Sequence, residues 1–421
     1  MKFLWNIAGK NLFRNKLRTI VSIIAIAISV AVVVFTRGLI GGFIENSFSL
    51  YINHETGHIR IIDQEYRQKE KLLSLNNTVD GFNQDGLSPM ITELEEIEGI
   101  ELVVPRIKFG AMASIDDEMV TMMGWGIDPQ KENQFTNLED KIIEGRMVES
   151  GELEILVGEG LLKKLNRQVG DKVTIVYNNS FNSFKGSTFK IAGLIESELP
   201  MISDSVFYLA IETAQRVLLL EDQATELLLI TPSAEQAEKY YPAVEEFIQE
   251  NDSEGRYTAL LWSKANALIE YLMVALRIYD FIYVFLILLS SIVVINTMIM
   301  LVKERTREIG MMSALGLKDS EILKLFIIEG SIMGIVGSFI GAIFGGIITK
   351  IASVYGLDYG AEAFKAASEE MLMNPVIYPT FTIGHMVFAF TLGVLITAIA
   401  CIYPARRAAK MEPSQALRDI E

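Results

Sequence analysis

The chain has 421 residues, half of them hydrophobic, with a mean hydropathy of +0.32 and a formal net charge of −16. That hydropathy is high for a soluble globular protein and points to membrane spans. Residues 45–270 hold 40 acidic and 19 basic side chains, which leaves a net +5 elsewhere, so a basic nucleic-acid footprint is absent.

Four uncharged apolar runs, at about residues 20–36, 281–302, 330–349 and 386–405, are long enough to cross the hydrocarbon core as helices. The first is long and has no small-x-small cleavage pattern before the polar region, so it reads as an anchor that stays. Lys2, Lys10, Arg14, Lys16 and Arg18 precede it, Lys303, Arg305 and Arg307 follow the second run, and Arg406, Arg407 and Lys410 follow the fourth. The positive-inside rule puts all three segments in the cytoplasm, with residues of about 41–278 and 350–385 outside. The lone cysteine, Cys401, falls in the fourth run, so no intramolecular disulfide can brace the outer part.

After the first run comes HETGH, His54 to His58, which matches the H-E-x-x-H pattern of zinc peptidases. The pattern needs a helix that stacks both imidazoles one turn apart, but Gly57 disfavours helix and the following HIRII alternates like a strand. His385 is the only other histidine and is expected at the outer end of the fourth span, while Glu70 could serve as an acidic third ligand. The favoured reading is the start of a strand; a membrane zinc metallopeptidase using HETGH is the remote alternative.

The large segment that follows reads as an α+β domain. Period-two alternation in GHIRIID, IELVVPRIKF, DKVTIVY, TFKIAGLIE and ELLLIT predicts half-buried strands. LSPMITELEEIEG and AEQAEKYYPAVEEFIQEN predict helices between them. From about Lys264 to the second span there is no proline or glycine, so one continuous helix is expected to leave the membrane as a stalk. A second stalk is expected after the first span, through RGLIGGFIENSFSLYI.

The third span carries Gly330, Gly334, Gly337, Gly341 and Gly345 at helical spacing, a stripe expected to pack closely on another helix, within the chain or across a dimer. Glu329 at its edge is an ionisable group near lipid, either functional or snorkelling to the interface. Between the second and third spans lies LVKERTREIGMMSALGLKDSEI; by its residues alone this is a positive-inside loop with an interfacial helix. Asp319 is expected to cap the third span, with Glu321 in its first turn.

The run ERTREIGMMSALGLKDSEI resembles the cytoplasmic signature of the FtsX-like permease family, the membrane subunits of type VII (MacB/LolC/LolE-like) ABC transporters. The tail YPARRAAKMEPSQALRDIE resembles that family's ending, and IAGKNLFRNKLRTIVSIIAIAISVAV looks like its amphipathic entry helix and first span. VVPRIKF, GWGIDPQKE, ELEILVGEGLLKKL and VGDKVTI are similar to the MacB-like periplasmic domain, while TGHIRI and NPVIYPTFT are similar to lipoprotein-releasing permeases.

The resemblance implies a membrane protein of four transmembrane α-helices with a large α+β MacB-like extracytoplasmic domain inserted between the first and second. Its parts are a cytoplasmic amphipathic helix (1–18), the first span and stalk (19–44), the extracytoplasmic domain (45–270), and the second stalk and span (271–302). A coupling helix (303–320), the third span (321–350), an outer loop (351–383), the fourth span (384–405) and a cytoplasmic tail (406–421) complete the chain. Glu304, Arg305, Arg307, Glu308, Gly310, Leu315 and Gly316 are then the expected contacts to an ABC ATPase subunit, with the two glycines allowing turns at either end. Arg406 and Arg407 are weaker candidates, since a stop-transfer role explains them. With no G-x-x-x-x-G-K-[ST] in the sequence, ATP and Mg are expected on a separate polypeptide and no cofactor on this chain.

The implied protein is a multi-pass inner-membrane permease with both termini cytoplasmic. It would pair with a second permease copy or a related subunit and pass ATP-driven motion to the outer domain for lipoprotein release, with a lipoprotein substrate and a periplasmic carrier as further partners. MacB-type export and FtsX-like control of cell-wall hydrolases are the alternatives within the family.

Overall fold

The computed structural model describes residues 8, 16–82, 85–115, 118–197, 199–265, 267–358 and 376–410. Most of the expected amphipathic helix at 1–18 and of the tail at 406–421, and the middle of the outer loop at 351–383, fall outside these. The chain divides into two compact units, one of residues 46–271 and one that gathers residues of the 16–45, 272–358 and 376–410 segments.

The second of these units is helical. Among the described residues four helices are long and apolar enough to cross a membrane, running over Lys16–Thr56, Ile269–Glu304, Asp319–Tyr355 and Ile383–Ala409. Helix is the form a chain must take in lipid, because each N–H and C=O then finds its partner within its own segment. The helix Asp319–Tyr355 packs on its neighbours through the glycine stripe. A Cβ at Gly337 would lie 2.8 Å from Ile26 Cβ, one at Gly341 2.9 Å from Ala27 Cα, and one at Gly345 2.8 Å from Ala31 Cα. Gly334 faces Thr397 and Gly330 faces Cys401 on the fourth spanning helix. Both neighbours belong to the same chain. Lys318, not Asp319, is the N-cap residue of this helix; Asp319 is its first helical residue, and Glu321 accepts the Lys318 N–H at 3.1 Å.

The other unit is built on one ten-stranded sheet. Its strands are β1 (Ile59–Asp63), β2 (Leu102–Ile115), β3 (Glu118–Ile127), β4 (Ile142–Gly145), β5 (Glu154–Gly158), β6 (Lys172–Asn178), β7 (Phe184–Ile195), β8 (Val206–Ala210), β9 (Glu226–Ile230) and β10 (Tyr257–Leu261). The order is β10-β1-β9-β2-β3-β8-β5-β7-β4, with β6 bridging β2 and β7. Most pairs are antiparallel, while β3–β8 and β5–β7 are parallel. Period two separates the faces. Ile59, Ile61, Val103, Ile107, Phe109, Leu227 and Leu229 point into the main core, against Leu94, Leu218 and Val244 of the helices Leu87–Glu95, Ile211–Leu218 and Ala237–Asn251. Intervening positions Arg60, Arg106, Lys108, Trp125, Tyr208 and Glu226 share the opposite face and are buried as well.

Gly57 joins the first spanning helix to this sheet at φ +57 and ψ −162, a region open almost only to glycine. A Cβ there would also lie 2.9 Å from Leu228 Cβ. Gly57→Ala is therefore expected to cost roughly 1–3 kcal/mol, read as a lower midpoint for melting of the unit that holds the sheet. Gly341→Leu should cost about 1–3 kcal/mol through overpacking, measured as lost thermal stability in detergent; Val336→Leu on the exposed side of the same helix is the control expected to be neutral.

Candidate functional site

The segment after the second span is a short helix, Thr306–Ala314, separated from the helix Ala267–Glu304 by Arg305. Its residues divide by face. Arg305 is 3 % exposed and donates Nη1 to Glu329 Oε1 at 3.3 Å, and Glu329 on the third spanning helix is fully buried. Ile309 packs in the same cluster as Phe326, Ala405 and Ala408. Gly310 is buried within the helix, so it does not make a turn. On the other side Arg307, Met311 and Leu315 are exposed, Leu315 at 84 %. These three are four residues apart and so form one stripe.

Gly316, at φ +95, ends the helix: its N–H reaches Ser313 O at 3.0 Å, and Leu317 N–H reaches Met312 O at 3.1 Å. A residue with a Cβ would be strained in that turn. Glu304 is exposed and pairs with Arg18 of the first spanning helix, and Glu308 is half-buried. Arg406 and Arg407 are exposed on the helix Ile402–Ala409, whose Ala405 and Ala408 face the cluster. The segment therefore has one face anchored to the third and fourth spanning helices and one free of the described fold. The Arg305–Glu329 contact was not read from the sequence. Glu329, an ionisable residue at the edge of an apolar run, was the one signal, and nothing in the spacing singled out Arg305 from its charged neighbours as the partner.

HETGH is split between two elements. Ile52–Thr56 is a π-helical turn and β1 begins at Ile59. His58 Nδ1 accepts the Thr231 N–H at 3.0 Å and lies 2.9 Å from Thr231 Oγ1, and burial lowers its pKa. Glu55 accepts from Lys108 Nζ at 3.1 Å, and the His54 carbonyl accepts from Arg106. His58 and Glu55 thus face different partners, and among the described residues no three His, Cys, Asp or Glu side chains gather as a metal set.

The sheet face beside that turn holds a network of buried charge. Arg106 is bidentate to Glu132 at 2.9 and 2.6 Å, Lys108 contacts Glu226 at 3.0 Å, and Arg60 joins Glu226 to Glu70, the latter at 2.6 Å. Burial alone would raise the Glu226 pKa, but Arg60, Lys108 and Arg106 outweigh it and hold the carboxylate below its ordinary range. Burial would likewise lower the Arg106 pKa, and Glu132 more than offsets it. Sequence spacing alone read Arg60, Arg106 and Lys108 as the outward side of half-buried strands.

Two family profiles match the chain: the MacB-like periplasmic core domain over residues 19–247 and the FtsX-like permease C-terminal region over residues 281–413. The lipoprotein-releasing system transmembrane protein LolC of Neisseria meningitidis serogroup B is 21% identical over 413 residues, covering 95% of this chain and 94% of that one. An uncharacterized ABC transporter permease of Methanocaldococcus jannaschii is 21% identical over 424 residues, covering 98% and 96%. The macrolide export ATP-binding/permease protein MacB of Nitrosomonas europaea is 35% identical over 130 residues, covering 31% of this chain and 17% of that one. Among solved structures, the extracellular domain of the noncanonic ABC-type transporter YknZ from Gram-positive bacteria aligns with a TM-score of 0.34 at 14% identity, over 48% of this chain and 98% of that one. With the periplasmic profile spanning more than half of its length and the permease profile following it, the chain belongs to the family of ABC transporter permeases that join a MacB-like periplasmic core domain to an FtsX-like C-terminal region.

Proposed function

We propose that this permease releases lipoproteins from the outer leaflet of the inner membrane, driven by ATP hydrolysis on a separate subunit that also holds the Mg. The observation that carries the reading is the similarity to LolC of Neisseria meningitidis, which runs through 95% of this chain and 94% of that protein. Both termini and the segment Thr306–Ala314 are then cytoplasmic, in accord with the lysines and arginines around them. The ATPase docks on the stripe of Arg307, Met311 and Leu315, where an apolar pair beside a cation offers both burial and orientation. Glu304, Glu308 and the Gly316 turn border this stripe.

Closure of the ATPase pushes the segment. The buried Arg305–Glu329 pair and the packing of Ile309 hand that push to the third spanning helix, and the glycine stripe hands it to the first. The first and second spanning helices run without a break over Lys16–Tyr51 and Ala267–Glu304, so their outer ends move with their inner ones and drive the periplasmic domain. A second permease, identical or related, completes the transporter. Acyl chains enter between apolar helix faces, and a periplasmic carrier receives the lipoprotein.

Reconstitution with the copurifying ATPase tests this, with release of a fluorescent triacylated lipopeptide from proteoliposomes as the readout. Arg307→Glu combined with Leu315→Glu is expected to weaken ATPase binding at least about tenfold, since a central contact is worth about 2 kcal/mol, and to leave the melting of the periplasmic domain unchanged. Wild-type binding and release in that variant would rule the docking stripe out. Glu329→Ala should destabilise the spanning unit by roughly 3–5 kcal/mol, because it removes the carboxylate from a buried ion pair. The exchange Arg305→Glu with Glu329→Arg is expected to recover part of that loss in detergent melting.

A further inference from the structure

The last residues of the helix Lys16–Tyr51, from Asn46 onward, and the π-helical turn Ile52–Thr56 belong to the same compact unit as the sheet. The final carbonyls of a helix have no partner within it and carry the negative end of its dipole. Here Arg106 of β2 takes two of them, donating Nη1 to His54 O at 2.8 Å and Nη2 to Asn53 O at 3.2 Å. The same guanidinium is bidentate to Glu132 and stands over the Trp125 ring at 5.4 Å from its centroid. It is fully buried, so its direction is fixed on the sheet side by Glu132 and Trp125 and spent on the turn side by the two carbonyls.

Lys108, two residues along the same strand and so on the same face, repeats the arrangement. Its Nζ contacts Glu226 of β9 at 3.0 Å on the sheet and Glu55 of the turn at 3.1 Å. Phe48, one helical turn before the π turn, meets Trp262 edge-to-face at 5.2 Å, and Trp262 follows directly on β10. Gly57 then delivers the chain into β1, which is paired on both edges by β9 and β10. An apolar contact would have held the turn without the desolvation cost of two cations. What the cations add is direction: hydrogen bonds to particular carbonyls resist sliding and rotation of the helix end on the sheet.

We propose that Arg106 and Lys108 are positioning residues that clamp the end of the first spanning helix to the periplasmic sheet, so that displacement of the helix becomes displacement of β2 and its neighbours. The proposal rests on the reading that spanning-helix motion drives the periplasmic domain. It assigns the HETGH stretch a role as the gripped surface: Arg106 takes the backbone carbonyls of His54 and of Asn53 just before it, and Glu55 ties the stretch to Lys108.

The test uses the full chain with its copurifying ATPase in proteoliposomes holding a fluorescent triacylated lipopeptide. Arg106→Gln with Glu132→Gln keeps the buried site neutral while removing the clamp; Glu55→Gln, at a partly exposed side chain, cuts only the Lys108 tie. Hydrogen exchange of residues 52–57 is expected to quicken about tenfold in the double variant while β3 and β9 keep their protection. Lipopeptide released per ATP hydrolysed is expected to fall at least about fivefold, with ATP hydrolysis itself retained and Arg106→Lys intermediate. Glu55→Gln should show the same pattern more weakly. Wild-type exchange at 52–57, or a loosened turn with an unchanged release-to-hydrolysis ratio, overturns the clamp. So does a parallel fall of release and hydrolysis, which marks a merely structural role. Wild-type protein that hydrolyses ATP without releasing lipopeptide counts against the functional reading instead, and the exchange measurement then decides the clamp by itself.

Discussion

The close approach of the third spanning helix to the first, along Gly337, Gly341 and Gly345, sets the geometry on which the rest of the spanning unit depends. Lipid tails are as apolar as leucine, so no hydrophobic gain draws two such helices together; contact at van der Waals distance must do it. Glycine brings backbone to backbone. Ile23, Ile26, Ala27, Val30 and Ala31 of the first helix can then fill the groove, and Gly393 of the fourth does the same against Ser338. Two hydroxyls in this seam bond within their own helices, Thr349 to Gly345 O at 2.8 Å and Thr397 to Gly393 O at 2.7 Å, while the buried Ser338 Oγ has no hydrogen-bond partner among the described residues. Directly before this stripe begins at Gly330, the third helix carries a buried carboxylate.

That carboxylate, Glu329, illustrates how this chain uses buried charge. An ion pair taken out of water recovers its desolvation cost only with good geometry and further hydrogen bonds, so Arg305–Glu329 adds little net stability over an apolar pair. What it adds is registry between the short helix Thr306–Ala314 and the third span. The ten-stranded sheet of the other unit repeats the logic on a larger scale. Arg60, Arg106 and Lys108 lie on one face with Glu226 and Glu132 among them, and the burial that would neutralise Glu226 is outweighed first by Arg60. Each cation reaches two elements, so the network fixes how elements meet.

How much of this was legible in the sequence depends on distance along the chain. The spanning helices follow from uninterrupted apolar runs, and β1, β2, β6, β7 and β9 from alternation, because both signals are local. EILVG and VFYLA, the strands β5 and β8, are buried on both faces and read as short apolar runs with no period, so they carried no comparable signal. The charged face was misjudged for a different reason. Alternation says that Arg60, Arg106 and Lys108 share a side of the sheet but not that Glu226, more than a hundred residues later, will meet them there. Arg305 is the same case at shorter range: spacing placed it with Arg307 among exposed charges, and only the folded third helix supplies Glu329. The glycine stripe, by contrast, announced itself by spacing, although which helix it would meet required the fold.

The π turn explains why a motif with catalytic spacing ends up as a joint. Gly57 N–H bonds Ile52 O at 2.8 Å, one residue farther back than an α-helix would reach. The next amide, His58 N–H, already bonds Leu229 O across the sheet at 3.1 Å, because Gly57 has turned the chain into its strand. The carbonyls of Asn53 and His54, on half-buried residues, are thus passed over by both the helix and the sheet ladder and are left to another donor. Arg106 supplies it: of the five N–H groups in its rigid fork, two bond Glu132, and two of the remaining three donate to these carbonyls. Neither lysine nor glutamine has that fork. The change of period from helix to strand and the presence of arginine at position 106 are therefore one constraint seen from its two sides.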